Sequence, residues 1–139
     1  MHRSDAPLYS REARALERGY RRLSRFLLAA FFSFAGLMHF LKPGFYLALM
    51  PSWVPRPLAM VYFTGACEVL GGLGLLIAPL RPAAAWGLIL LLAAVLPANV
   101  KMFQDERRKG WTPAAGFLAL RLPLQAVLVW WVCRAGLSG

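Results

Sequence analysis

The sequence predicts an all-α integral membrane four-helix bundle with a Pro-rich interfacial loop between helices 1 and 2. Two observations carry this. Hydrophobic residues fill 59% of the 139 positions, against roughly 45–50% apolar in an ordinary soluble domain even when Gly is counted. The excess is gathered into four runs of membrane-spanning length, and the stretches between them hold most of the Pro and charge. Four spans of about 20 residues each use about 80 positions. That leaves short loops and one basic tail, with no room for a separate soluble domain.

Residues 1–22 read as a basic amphipathic cytoplasmic tail. Seven basic residues, Arg3, Arg11, Arg14, Arg18, Arg21, Arg22 and Arg25, precede the apolar run that begins at Phe26. Leu8, Leu16, Tyr20 and Leu23 recur at roughly helical spacing with Arg on the other faces. That pattern suits a short helix lying on an anionic leaflet. The net charge of +10 is not read as a nucleic-acid footprint, because no recognition motif or set of stacking aromatics accompanies it. Arg21-Arg22 followed by Leu23-Ser24-Arg25 fits an export signal poorly, and the apolar run continues past the small residues near Ala35. The segment is therefore expected to remain as a span rather than be cleaved.

Residues 23–139 form the membrane domain, with spans expected at about 23–41, 58–78, 83–102 and 113–132. Pro43, Pro51, Pro55 and Pro57 break the first connection, which cannot be one continuous helix. It still carries Phe45, Tyr46 and Trp53, so it is expected at the membrane interface with its aromatics at headgroup depth. Arg81-Pro82 makes the second connection and the charged stretch 104–110 the third. Four spans put both termini on one side. The tail arginines with Arg81 and Arg134 assign that side to the cytoplasm of an inner membrane. Lys101 at the end of the third span and Arg107, Arg108 and Lys109 in the third connection oppose the assignment.

Ionisable groups in hydrocarbon cost roughly 2.5–3.5 kcal/mol on insertion scales and persist where they are paired or functional. Glu68 lies deep in span 2 and Arg121 deep in span 4. His39 lies near the end of span 1, Asn99 near the end of span 3, and Gln125 one turn beyond Arg121. Counting at 1.5 Å per residue puts Glu68 and Arg121 roughly 12–15 Å below the outer interface, and the other three groups fall in the same half. The opposite halves of the spans are almost purely apolar, Leu88 to Leu92 for example. Two readings compete. In one, a Glu68–Arg121 ion pair fixes helix register and does nothing else. In the other, His39, Glu68, Asn99, Arg121 and Gln125 line a ligand or proton-handling site. Gly65, Glu68 and Gly72 share one face of span 2, where the glycines permit close helix approach. Pro97 and Pro123 each free a carbonyl one turn earlier, within reach of Arg121 or Gln125.

Several chemistries are excluded. Cys67 and Cys133 differ in depth by about 15 Å, beyond disulfide reach, and no Cys-x-x-Cys is present. A single His in the spans rules out bis-His haem ligation within one chain. No carboxylate–His cluster offers a metal site, and no nucleophile triad or phosphate-binding glycine loop is visible.

The stretches Gly36-Leu37-Met38-His39-Phe40 with Pro43 and Phe45, Gly65-Ala66-Cys67-Glu68-Val69-Leu70-Gly71-Gly72, Pro97-Ala98-Asn99 and Arg121-Leu122-Pro123-Leu124-Gln125 together resemble the DoxX family of small bacterial membrane proteins. The resemblance runs from about Ala29 to Trp131. It implies a four-helix membrane bundle and a link to quinone-linked oxidation or oxidative-stress complexes, and distant relatives act as membrane chaperones. The expectation is thus an accessory subunit of a quinone-linked redox system rather than a stand-alone enzyme. Quinone, membrane lipids and a redox complex are its expected partners, and self-association stays open. A non-catalytic scaffold or chaperone, and a pocket for another small lipophilic molecule, are the alternatives.

Overall fold

The computed structural model describes residues 6–138, with side chains described from Tyr9 onward. His2 and Arg3 of the basic tail lie outside the described residues. Five α-helices and no strand occur among the described residues: α1 (Ala6–Leu41), α2 (Pro43–Leu49), α3 (Pro57–Gly74), α4 (Arg81–Arg107) and α5 (Pro113–Gly136). Of these, α1, α3, α4 and α5 are long and apolar enough to cross a membrane. The chain is a multi-pass membrane protein built as a helical bundle.

The helices depart from the expected spans at their ends. The 36-residue α1 has no break near residue 22, and at 1.5 Å per residue it is about 54 Å long. A hydrocarbon core is about 30 Å thick. The arginine-bearing turns therefore continue the first span as one helix, instead of forming the separate surface helix that their amphipathic spacing predicts. α4 runs on to Arg107, past its expected end, because Lys101 and Asp105 pair one turn apart along its polar continuation. α5 starts where Thr112 caps it, with Oγ1 accepting from the Ala115 N–H at 3.0 Å. The same hydroxyl donates to Glu106 at 3.0 Å and ties the two helix ends together. Gly110, at φ 109°, makes the reversal between them.

The Pro-rich connection is not one helix, as expected, but part of it is helical. Pro43 opens the seven-residue α2, since a ring fixed near φ −65° suits a first helical position. Pro51 and Pro55 keep the following residues in turns. α2 packs on α1 and α3 and so covers one end of the bundle.

The tightest crossing is α1 on α3. A Cβ added at Gly65 would lie 2.7 Å from the Gly36 carbonyl oxygen, and one added at Gly36 would lie 2.5 Å from that of Gly65. Only two facing glycines permit this approach. Farther along, Leu28, Phe32, Leu75, Leu88, Leu128 and Val132 form the apolar core. This core occupies the half of the bundle that holds the N-terminal arginines. Arg21 donates to the Ser138 carbonyl and Arg25 to that of Ala135, which places the middle of α1 beside the C-terminal end of α5. Phe34, Phe63, Leu70, Leu90 and Leu120 face outward, as lipid-facing positions require.

Candidate functional site

The Gly36–Gly65 crossing sets up the site. His39 stands three residues beyond Gly36 on α1, and Glu68 stands three beyond Gly65 on α3. The close backbone approach brings His39 Nδ1 to 3.5 Å from Glu68 Oε2, with both side chains largely buried. The His39 Nδ1–H donates to the Ala35 carbonyl, one turn back, at 2.8 Å. That bond fixes the ring and leaves Nε2 with its lone pair. The Tyr46 ring of α2 stacks on the imidazole at a centroid distance of 3.8 Å and an interplanar angle of 19°. Burial raises the Tyr46 phenol above its ordinary pKa, and the Glu68 charge adds to the rise. Tyr46 is therefore a neutral donor at physiological pH.

Two adjoining cavities of about 210 and 310 Å³ meet here. Both are lined by His39, Tyr46, Glu68, Val95, Asn99 and Arg121. The remaining walls are mostly apolar, with Trp53 and Met60 beside one cavity and Phe117 and Leu124 beside the other. A small number of polar groups converging on an apolar concavity is the usual composition of a small-molecule site.

The expected Glu68–Arg121 ion pair is not formed. Glu68 lies beside His39 instead, a contact that becomes an ion pair only when the imidazole is protonated, and Arg121 makes no ion pair or hydrogen bond among the described residues. The reason lies in the packing. α3 packs on α1 and α4, whereas α5 packs mainly on α4. α3 and α5 share little direct packing, so Glu68 and Arg121 line the same cavities without an ion pair, and the guanidinium acts on the carboxylate through space. Glu68 Oε2 is buried without a hydrogen-bond partner. A buried carboxylate oxygen in that position costs free energy that a bound donor would recover.

Asn99 and Gln125 behave differently. Asn99 Nδ2 donates to Gln125 Oε1 at 2.8 Å, and Gln125 Nε2 donates to the Leu92 carbonyl. The carbonyl freed directly by Pro97 is that of Ala93, four residues earlier. The amide reaches the neighbouring one on the same opened stretch of α4. These two residues are largely engaged with one another and tie α4 to α5. The structure thus brings all five expected residues around the same cavities and divides them. His39, Glu68 and Arg121 present unsatisfied or adaptable groups, and Asn99 and Gln125 form a largely closed link. Tyr46 belongs to the site although its sequence context marks it only as an interfacial aromatic. The signal was Pro43, which opens a helix whose first turn carries Tyr46 back over His39.

Comparison with curated proteins and with solved structures finds no match to this chain. A family model described as "Domain of unknown function (DUF8561)" matches residues 28–136, which takes in the C-terminal part of α1 and every later helix. The chain is a member of the DUF8561 family.

Proposed function

We propose that this protein holds a small lipophilic molecule with a polar, carbonyl-bearing head in the cavities lined by all five helices, and that a quinone is the molecule. In this reading it serves as an accessory subunit of a quinone-linked redox or oxidative-stress system in the inner membrane, with both termini in the cytoplasm. One observation carries the proposal. An unpaired guanidinium and an unpartnered carboxylate oxygen face a shared cavity inside a membrane bundle. An intramembrane ionisable group without a structural partner is costly to keep and is by default a functional-site hypothesis.

The residues fit a quinone head group. Arg121 and the Tyr46 phenol supply donors for carbonyl oxygens. Glu68 and His39 supply a proton-exchanging pair. Aromatic and aliphatic walls suit the ring and an isoprenoid chain. A bound quinone would add two-electron, two-proton redox chemistry. The chain's own part is to bind and orient the head and to hold or release protons at Glu68 Oε2 and His39. The resemblance to the DoxX family points the same way, while membership in DUF8561 names no activity.

A second reading has its own observation. The Asn99–Gln125–Leu92 link shows that buried amides here can serve packing alone, as a scaffold or chaperone of a larger membrane complex would need.

The test is quinone content. The protein is purified in mild detergent, extracted with organic solvent and assayed per chain, beside Arg121→Leu and Glu68→Leu. The expected result is about one quinone per wild-type chain and a sharp loss in both variants, with helicity unchanged. Folded wild type without quinone overturns the reading and favours the scaffold.

A further inference from the structure

The opposite end of the bundle carries a second concavity of about 760 Å³, lined by six arginines and by Glu17 as its lone acidic residue. It lies where α1 passes the turn between α3 and α4. From Arg25 to His39 is fourteen residues, or about 21 Å along α1, so this basin is separate from the cavities beside Glu68.

The arginines are held there by the fold. Arg25 Nε donates to the Ala135 carbonyl at 2.8 Å, and Arg81 Nε donates to the Leu75 carbonyl at 3.0 Å. Each bond satisfies a carbonyl at or near a helix C-terminus, a place that favours a cation. Each also uses only the Nε edge. Neither Arg25 nor Arg81 makes a hydrogen bond through its terminal nitrogens among the described residues. Both side chains are half-buried, and Arg25 feels the positive charges of Arg81 and Arg21. Like charges anchored side by side, with their forks unspent, are arranged for a shared anion. Phe26 and Leu76 also line the concavity and are exposed outward. An anion bound here would therefore sit directly above apolar, lipid-facing surface.

We propose that this arginine basin is a binding site for the headgroup of an anionic phospholipid, with the phosphodiester held by the forks of Arg25 and Arg81 and an acyl chain lying along Phe26 and Leu76. A free phosphate shares the headgroup chemistry but gains nothing from the apolar rim.

The experiment titrates detergent-solubilised full-length protein with short-chain phosphatidylglycerol, phosphatidylcholine or inorganic phosphate and follows thermal unfolding. Phosphatidylglycerol is expected to raise the unfolding temperature saturably, while phosphatidylcholine and inorganic phosphate leave it unchanged. Arg25→Gln/Arg81→Gln is expected to weaken the phosphatidylglycerol effect about tenfold or more. Arg11→Gln/Lys42→Gln removes the same charge outside the basin and is expected to leave the effect intact. Equal weakening by both double variants would show diffuse attraction and overturn the site. An equal response to inorganic phosphate would overturn the lipid assignment. Should Arg25→Gln/Arg81→Gln not fold, the wild type decides. Purified from nanodiscs of equal phosphatidylglycerol and phosphatidylcholine, it is expected to retain phosphatidylglycerol selectively, and equal retention overturns the proposal.

Discussion

His39 Nδ1 stands 3.5 Å from Glu68 Oε2 across a helix crossing that only glycine permits. The contact belongs to the backbone as much as to the side chains. Gly36 faces the Glu68 Cβ and Gly65 faces the His39 Cβ, so each glycine makes room for the ionisable residue of the other helix. The imidazole is then held from two other sides, by the Ala35 carbonyl and by the Tyr46 ring. An ionisable pair is thereby fixed beside a cavity at a depth where an exposed pair could not persist.

Gly65→Ala is expected to destabilise the bundle by about 1–3 kcal/mol, the usual penalty for overfilling a packed interface. The added Cβ would meet the Gly36 carbonyl oxygen and the His39 Cβ, each at 2.7 Å. Neither atom is the far end of a flexible chain. Gly87→Ala is the control: nothing lies within 4 Å of its added Cβ. There the change is expected to be neutral or stabilising, because Ala is the better helix former. Thermal unfolding of the two variants in one detergent measures the contrast, and equal behaviour would remove the crossing from the account of the site.

Asn99→Leu and Gln125→Leu are each expected to cost about 1–3 kcal/mol, because each leaves a buried partner unsatisfied. Both residues are almost fully buried. The double variant removes both amides and is expected to cost less than the sum of the singles. A double-mutant cycle in unfolding free energy reads this directly. Strict additivity would mean that the Asn99–Gln125 bond contributes nothing to joining α4 and α5.

The spans were legible because hydropathy and length alone define them. Their ends were not. Charge normally marks the end of a span, yet Lys101 and Asp105 pair within α4 and carry the helix on to Arg107. The tail arginines likewise continue α1 without a break. Depth was legible by counting residues, which is how His39, Glu68, Asn99, Arg121 and Gln125 came to be grouped. Lateral adjacency was not, since residue counts carry no information on which helices pack together. Glu68 and Arg121 share a depth and line the same cavities, but their helices do not pack closely on one another. Glu68 finds His39 instead, because the glycines draw α1 against α3. The role of Tyr46 depended on the path of α2, which the proline pattern limits but does not determine.

Tyr46→Ala separates the covering role of α2 from the stability of the bundle. The phenol ring stacks on His39 and lines both cavities, but α2 contributes no residue to the apolar core. If the proposed quinone occupies these cavities, the variant is expected to bind far less of it than wild type, with an unfolding temperature within a few degrees of wild type. Tyr46→Phe keeps the stack and removes one donor, so an intermediate loss is expected. Quinone per chain, measured on folded protein, checks both. Full retention in Tyr46→Ala would place the ligand elsewhere or remove it from the account.

The distribution of cations over the two ends of the bundle predicts its orientation. Arg3, Arg11, Arg14, Arg18, Arg21, Arg22, Arg25, Arg81 and Arg134 belong to one end or to the tail leading from it, nine in all, against six at the other, Lys42, Arg56, Lys101, Arg107, Arg108 and Lys109. Lys and Arg near span ends favour the cytoplasmic side, and we expect the arginine basin to face the cytoplasm. The cavities beside Glu68 would then lie nearer the outer surface. The check is labelling by a membrane-impermeant maleimide in intact cells, using Ser10→Cys and Lys109→Cys in a Cys67→Ala/Cys133→Ala background. Lys109→Cys is expected to label from outside, and Ser10→Cys only after the membrane is permeabilised. The reverse pattern would mean that the α4–α5 connection outweighs the tail, and would turn the cavities beside Glu68 toward the cytoplasm.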